Sequence, residues 1–403
     1  MKLLIAIPAY NEEQSIEPII QRSLAAREHI MSTSPVHQVD ISVVSDGSTD
    51  RTLEIAKTHD HEIKVIGFLK NRGYGAAIQE AWNQSDADLL GFLDADGTCD
   101  PRFFSNLCSV IEDEKADVVL GCRMNKDSKM PLVRRFGNSI FAFLLGLFSS
   151  TKVRDTASGM RVVRRKSLDK LEPLPTGMHF TPAMSARAML DQSLKIREID
   201  MPYAEREGRS KLNVVRDGLR FLKVILEAAF LYRPQRPLGF LGLASAIFAV
   251  ALMLTPTYYY LIHRAVAEWM IYRFVVGHLA GIAACLLFSA SYVTARMVGM
   301  SLNDQGGKRS LILKAKGLLE SPFFWLLPAV LVLAGGLLVL PSFLQLVRTG
   351  ATYEHWSRFI AMSFLLSVAI ILVATRACDY ILSLLEDRLV FLRDRAVQRG
   401  KAA

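Results

Sequence analysis

Leu89-Leu90-Gly91-Phe92-Leu93-Asp94-Ala95-Asp96-Gly97 is the stretch that decides how this chain reads. Five apolar residues run without a break, as in a strand buried on both faces, and end in two carboxylates and a glycine. Residues two apart on an extended chain point to the same side, so Asp94 and Asp96 share one. Both are ionised at neutral pH. Two unit charges about 4 Å apart repel by about 4 kcal/mol at an effective dielectric of roughly 20. A hard divalent cation removes that repulsion, prefers oxygen ligands and also binds a diphosphate.

The same grammar recurs on both sides of this stretch. Leu3–Ile7, Ile41–Val44, Lys64–Phe68 and Val118–Leu120 read as further strands, and Gln14–His29, Asp50–Thr58, Gly75–Gln84 and Pro101–Asp113 as helices between them. Alternating strands and helices predict a parallel sheet covered on both faces. Ligands of such sheets sit beyond the carboxyl ends of the strands. The polar segments fall there: Pro8-Ala9-Tyr10-Asn11-Glu12-Glu13, Ser45-Asp46-Gly47-Ser48-Thr49-Asp50, Asn71-Arg72-Gly73-Tyr74-Gly75-Ala76-Ala77 and Asp94-Ala95-Asp96-Gly97. Taken singly, Asn11 or Ser48 serves as a helix cap and Asp94 or Asp96 as a turn residue. Four such segments at one sheet edge predict a site. The pattern GxxxxGK[ST] is absent, which excludes a P-loop kinase or ATPase.

Composition frames the rest. The 403 residues are 51% apolar and 22% charged, with a net charge of +9 and a mean hydropathy of +0.24. Disordered, collagen-like and small disulfide-rich chains are excluded. Cys99, Cys108, Cys122, Cys285 and Cys378 form no CxxC pair and no zinc-like spacing, so free thiols in a reducing compartment are expected. The opening apolar stretch is too short for a signal peptide, so the globular part is expected in the cytosol. Four apolar runs, about 238–255, 274–295, 322–347 and 359–375, approach or exceed the length a bilayer demands and hold no Asp, Glu, Lys or Arg. Basic residues crowd the segments before the first run, between the second and third, and after the fourth, which predicts cytoplasmic termini. The net charge therefore reads as cytoplasmic membrane edges rather than a nucleic-acid surface, and no aromatic-basic interleaving points to nucleic acid. A transporter with a regulatory nucleotide-binding domain lacks an evident ion path, because the runs are uncharged. Before the first run, Arg216, Arg220, Lys223 and Glu227 step by four, three and four along Asn213–Tyr232, a thin charged stripe on an apolar helix suited to lying in the membrane interface. The expected organisation is a globular domain over 1–212, an interfacial helix over 213–232, a four-helix membrane domain over 233–380 and a basic tail over 381–403.

These motifs, taken in order, resemble the family 2 glycosyltransferases of GT-A fold, and among them the dolichyl-phosphate mannose and polyprenyl-phosphate glucose synthases. Gly121-Cys122-Arg123, Asp155-Thr156-Ala157-Ser158-Gly159-Met160-Arg161 and Gly208-Arg209-Ser210-Lys211-Leu212 are similar to their GSR, D-x-x-S-G-x-R and G-x-S-K-L segments. The resemblance covers residues 1 to about 230. It implies an α/β, Rossmann-like GT-A domain for nucleotide-diphospho-sugars, followed here by an all-α membrane part. It implies that Pro8, Tyr10, Glu12 and Asp46 contact base and ribose, that Asp94, Ala95 and Asp96 hold the sugar nucleotide, and that Asp94 and Asp96 bind Mg or Mn. Arg123 would meet the donor diphosphate or the acceptor phosphate, and Arg134 or Arg135 the acceptor phosphate. Asp155, Ser158 and Arg161 would shape the acceptor side. Arg206, Ser210 and Lys211 would close over the phosphates from a loop, with Lys211 catalytic alongside Asp94, Asp96 and Asp155. Four positions depart from the family pattern: Ser45 for an Asp, Thr98 for a Gln, Ala183 for a Glu, and Glu205-Arg206, where the loop arginine is displaced by one.

The implied reaction moves a hexose from a GDP- or UDP-sugar to a polyprenyl phosphate, with inversion. Transfer to a hydroxyl needs a base, and an acceptor that is already an anion does not. The alternative is transfer to a lipid hydroxyl or a growing glycan, for which Asp155 would be the base. Expected partners are the donor, the lipid acceptor and the bilayer; homo-oligomerisation stays open.

Overall fold

In the computed structural model, residues 1–126, 128–205, 214–301, 311–351 and 355–402 are described. They divide into two units, Met1–Tyr232 and Arg233–Ala403. The order in the first is β1 (Lys2–Ala9), α1 (Ile16–Thr33), β2 (Gln38–Ser45), α2 (Thr52–Lys57), β3 (Lys64–Gly67), α3 (Tyr74–Asn83), β4 (Leu89–Leu93), α4 (Phe104–Asp113), β5 (Val118–Cys122), α5 (Leu132–Phe148), β6 (Met160–Arg164), α6 (Leu168–Leu171), α7 (Phe180–Leu190), β7 (Ile196–Asp200) and α8 (Val214–Tyr232).

The seven strands lie in the order β3-β2-β1-β4-β6-β5-β7. The sheet is mixed, not parallel as expected: β6 runs antiparallel to both β4 and β5. Its direction is set by long-range pairing, which no local pattern in Met160–Arg164 encodes. The reversal matters for the site. Met160 pairs with Leu93, so the segment entering β6 arrives at the same edge where β4 runs into Asp94.

Alternation along β1 splits the core. Leu4 and Ala6 face one helical layer, and Leu3, Ile5 and Ile7 the other. In the first layer Trp82, Phe92 and Phe180 meet with ring centroids 5.7–6.1 Å apart, tilted or edge-on as aromatic quadrupoles prefer. Trp82 also satisfies its indole N–H on the Gly91 carbonyl.

Helix α8 belongs to the first unit and is not a separate segment. Its buried side, with Phe221, Ile225, Ala228, Ala229 and Tyr232, packs against the domain, because the apolar arc is wide enough to cover it and still leave Leu219, Leu226 and Phe230 exposed. Helix α5, unanticipated from sequence, shows a similar split. Leu145 and Phe148 are buried, whereas Leu132, Phe136, Ile140 and Phe143 are exposed.

The second unit comprises α9 (Gln235–His263), α10 (Ile271–Ser301), α11 (Leu311–Glu320), α12 (Leu326–Thr349) and α13 (Trp356–Ala402). Among the described residues, Gln235–His263, Glu268–Ser301, Pro322–Thr349 and Trp356–Leu392 are long and apolar enough to cross a membrane. Each outruns its apolar run in sequence. The extension of α10 and α13 carries charge inward: Arg296 ion-pairs with the buried Asp379 at 3.6 Å and with Glu386 at 3.0 Å, and Tyr292 donates to Asp379 at 2.6 Å. These charges are tolerated because they are paired.

Candidate active site

The segments that follow β1, β2 and β3 are stitched together before they form a site. Asn11, with a φ of +52°, accepts from the Thr49 N–H at 2.8 Å, and its own N–H donates to the Ser48 hydroxyl. The Glu12 N–H donates to Thr52 Oγ1 at 2.8 Å. Asp46 is buried and accepts from the backbone N–H groups of Arg72 and Gly73 at 2.6 and 2.9 Å. Burial raises its carboxyl above the ordinary range despite these donors. Gly47 takes a φ of +68°, and a Cβ there would strike the backbone of Asn71, so the turn admits only glycine.

Asp94 and Asp96 follow β4. Oδ1 of Asp94 accepts from the Tyr74 hydroxyl at 2.6 Å. Burial and the Asp94 charge keep the proton on Tyr74 by raising its pKa well above the ordinary value. On the other side of Asp94, Gly159 approaches so closely that a Cβ would overlap Oδ2. Asp96 is buried, and its Oδ1 accepts from the hydroxyl of Thr98 at 2.6 Å. Thr98 thus orients the second carboxylate.

Arg123 leaves the end of β5 and forms a bidentate pair with Asp155, Nε at 2.7 Å and Nη2 at 2.8 Å. Its guanidinium also lies 5.4 Å from the Tyr203 ring centroid. Asp155 is fully buried. Burial alone would raise its carboxyl, but the charge and hydrogen bonds of Arg123 outweigh it and hold it below the usual range.

These groups line one cavity of about 460 Å³. Pro8, Tyr10, Glu12, Asp46, Asp94, Ala95, Asp96, Arg123 and Arg134 all reach it, from segments spread over more than a hundred residues. Helix α5 contributes Val133 and Phe141 beside Arg134, and α8 contributes Arg220 and Phe221. Phe141 and Phe221 meet edge-on at 5.6 Å, which fastens the two helices at the cavity wall.

Other expected residues are elsewhere. Arg135 does not line the cavity; its guanidinium donates to the Asn125 carbonyl. Ser158 and Arg161 are fully buried. Ser158 donates to the Gly121 carbonyl at 2.6 Å, and Arg161 to the carbonyls of Ser158 and Thr156 and to Ser185 Oγ. Both brace the turn that carries Gly159, and neither lines the cavity. Burial pushes the Arg161 pKa down to about 10. Asp155 is likewise fully buried, ion-paired with Arg123 and absent from the cavity lining. Arg206, Ser210 and Lys211 lie outside the described residues. Cys99, Cys108 and Cys122 are buried thiols pushed up to about 12, chiefly by desolvation.

Sequence reasoning missed Tyr74, Tyr203, Phe141 and Arg220. Tyr74 lay in a quoted motif and Arg220 in the charged stripe, so both carried a signal. Tyr203 and Phe141 carried none.

Residues 4–172 match the model of the glycosyl transferase family 2. The chain is 26% identical over 262 residues to a dodecaprenyl-phosphate galacturonate synthase of Rhizobium johnstonii, covering 63% of this chain and 75% of that protein. It is 31% identical over 234 residues to a dolichyl-phosphate hexose transferase of Haloferax volcanii, covering 56% and 92%. It is 30% identical over 251 residues to an undecaprenyl-phosphate 4-deoxy-4-formamido-L-arabinose transferase of Yersinia pestis, covering 61% and 72%. Glucosyl-3-phosphoglycerate synthase of Mycobacterium tuberculosis superposes on 57% of this chain and 79% of its own at a TM-score of 0.46 and 19% identity. A stitched sheet edge ending in Asp94-Ala95-Asp96, together with the family-model match and the Haloferax volcanii relative, establishes that the chain is a glycosyltransferase and belongs to glycosyl transferase family 2.

Proposed function

We propose that this protein moves a sugar from a nucleoside-diphosphate sugar to a polyprenyl phosphate held at a membrane, with inversion at the anomeric carbon. The observation that carries the reading is the composition of the cavity. Carboxylates stand on its β4 side, Arg123 and Arg134 line it too, and two helices with exposed apolar faces form part of its wall. The four membrane-length helices and relatives named for dodecaprenyl, dolichyl and undecaprenyl phosphates support a lipid-borne acceptor.

Pro8, Tyr10 and Glu12 flank the donor's nucleoside, and Asp46 keeps the adjoining turn closed. The donor set at Asp94 and Asp96 is all oxygen, which fits Mg or Mn. Among the described residues no group of three or more His, Cys, Asp or Glu converges on a metal position, so the donor diphosphate or water would complete the shell. When bound, the cation offsets charge on the departing diphosphate. Arg123 is fixed by Asp155 and so presents a pre-oriented guanidinium to phosphate oxygens. An acceptor phosphate oxygen attacks the anomeric carbon as the bond to the diphosphate oxygen breaks. No proton is removed, in keeping with the enclosure of Asp155. Lys211 would add a further cation from its loop. The basic residues at the helix ends support a cytoplasmic position for the catalytic unit and both termini.

The test incubates purified protein with labelled UDP- and GDP-sugars, Mg or Mn, and either polyprenyl phosphate or the corresponding polyprenol. Product from the phosphate alone, lost in Asp96→Ala, is expected. Product from polyprenol, or from neither lipid, overturns the reading.

A further inference from the structure

The charged stripe on α8 divides in two. Lys223 and Glu227 pair with each other at 3.7 Å, with side chains 73% and 60% exposed. They border a shallow groove formed with Leu219, Leu226 and Phe230 on the outer side of the helix. Arg220, one turn earlier, lines the catalytic cavity instead. Its Nη1 lies 3.2 Å from Oδ1 of Asp217. That carboxylate is buried, while the Arg220 side chain remains 42% exposed. The pairing is i,i+3 within one helix, so it orients the guanidinium while occupying only part of its five-donor fork. Arg134 from α5 lines the same cavity.

We propose that Arg220 binds the phosphate of the lipid acceptor from α8, across from Arg134 on α5, with Asp217 as its positioning residue. The inference rests on the polyprenyl-phosphate reading and adds a binding residue to it. Two cations on the two helices that carry exposed apolar faces would receive a phosphate whose tail leaves along those faces. The donor diphosphate, by contrast, is expected at the β4 end near Asp94, Asp96 and Arg123. Arginine suits this task because its planar fork meets two phosphate oxygens at once.

The experiment uses the full chain in phosphatidylcholine nanodiscs, which carry no net lipid charge, and titrates donor and polyprenyl phosphate separately. Wild type must transfer to the phosphate lipid; if it does not, the functional reading itself fails. Given that transfer, Arg220→Gln is expected to raise the acceptor KM roughly tenfold to a hundredfold, the range of a lost hydrogen bond to a charged group, with the donor KM unchanged. Arg220→Lys should recover part of the loss. Lys223→Gln, on the outer side of the same helix, should leave both constants unchanged. An unchanged acceptor KM in both Arg220 variants overturns the proposal. So does an equal rise in Lys223→Gln, which would mean general attraction to lipid phosphates, and so does a rise confined to the donor KM. Thermal melting accompanies each variant, and should Arg220→Gln not fold, the acceptor KM of Arg220→Lys decides.

Discussion

The Tyr74 hydroxyl, at the first residue of α3, donates to Oδ1 of Asp94 at 2.6 Å, at the end of β4. One carboxylate oxygen is thereby anchored by a group whose ring is itself locked between Phe92 and Phe180, 6.4 Å from each. The orientation of Asp94 is thus inherited from the aromatic core.

Removing that single oxygen tests the relationship. Tyr74→Phe keeps the ring packing and deletes the donor. We expect kcat/KM to fall roughly tenfold to a hundredfold, the range of a hydrogen bond to a charged group. Mn affinity, read by electron paramagnetic resonance in the absence of acceptor, should fall as well, while the melting temperature moves little. An unaltered Mn titration together with unaltered turnover would show that Asp94 holds its pose without Tyr74.

Gly159 guards the other side of the same carboxylate. Gly159→Ala places a methyl group on Asp94 Oδ2, and either the turn or the carboxylate must shift, at a cost of about 1–3 kcal/mol. Donor binding measured by calorimetry should weaken at least tenfold. Gly146→Ala is the control, since nothing lies within 4 Å of its added carbon and the site is helical, where alanine is the better residue.

Asp155 is buried against the part-buried Arg123, so deleting its charge strands the arginine. Asp155→Asn should destabilise the domain by about 3–5 kcal/mol and lower turnover without removing a limb from the pH–rate profile. Disappearance of an acidic limb would restore Asp155 to the role of base. The sign of its pH linkage follows from the depressed folded pKa. The contribution to stability is complete above the unfolded carboxyl value of about 3.9 and is lost as pH falls through the lower folded value. The melting-temperature gap between wild type and Asp155→Asn should therefore be constant near neutrality and narrow only below about pH 4.

Metal removal bears on Asp94 and Asp96 together. Chelator should abolish transfer, and Mg or Mn should restore it. Asp96→Ala should stay inactive at every metal concentration yet fold. Thr98→Val, which deletes the donor to Asp96 Oδ1, should need more metal for half-maximal rate. Full turnover in excess chelator would remove the metal from the mechanism.

Much of this was legible in the chain. Uninterrupted apolar runs ending in Asp, Gly and Asn marked strand ends that carry a site, because a strand buried on both faces has no other way to read. The runs after residue 237 read as membrane-length helices for a related reason: some twenty apolar residues in succession have few other stable settings. The position of β6 was not legible, since five residues specify neither direction nor neighbour. Helices α5 and α8 were legible as amphipathic at most, and which arc packs on the domain depends on elements far away in sequence.

The sequence singled out Asp94 and Asp96 by their spacing at a strand end, and Arg123 and Asp155 by resemblance to family motifs. Their roles were decided by the tertiary structure. An aspartate enclosed with an arginine becomes its brace, one held by Tyr74 lines the cavity, and an arginine on a helix stripe turns inward at Arg220 while Lys223 stays outside. Burial and partner fix what an ionisable group does, and both arise from contacts between segments that the linear order keeps apart.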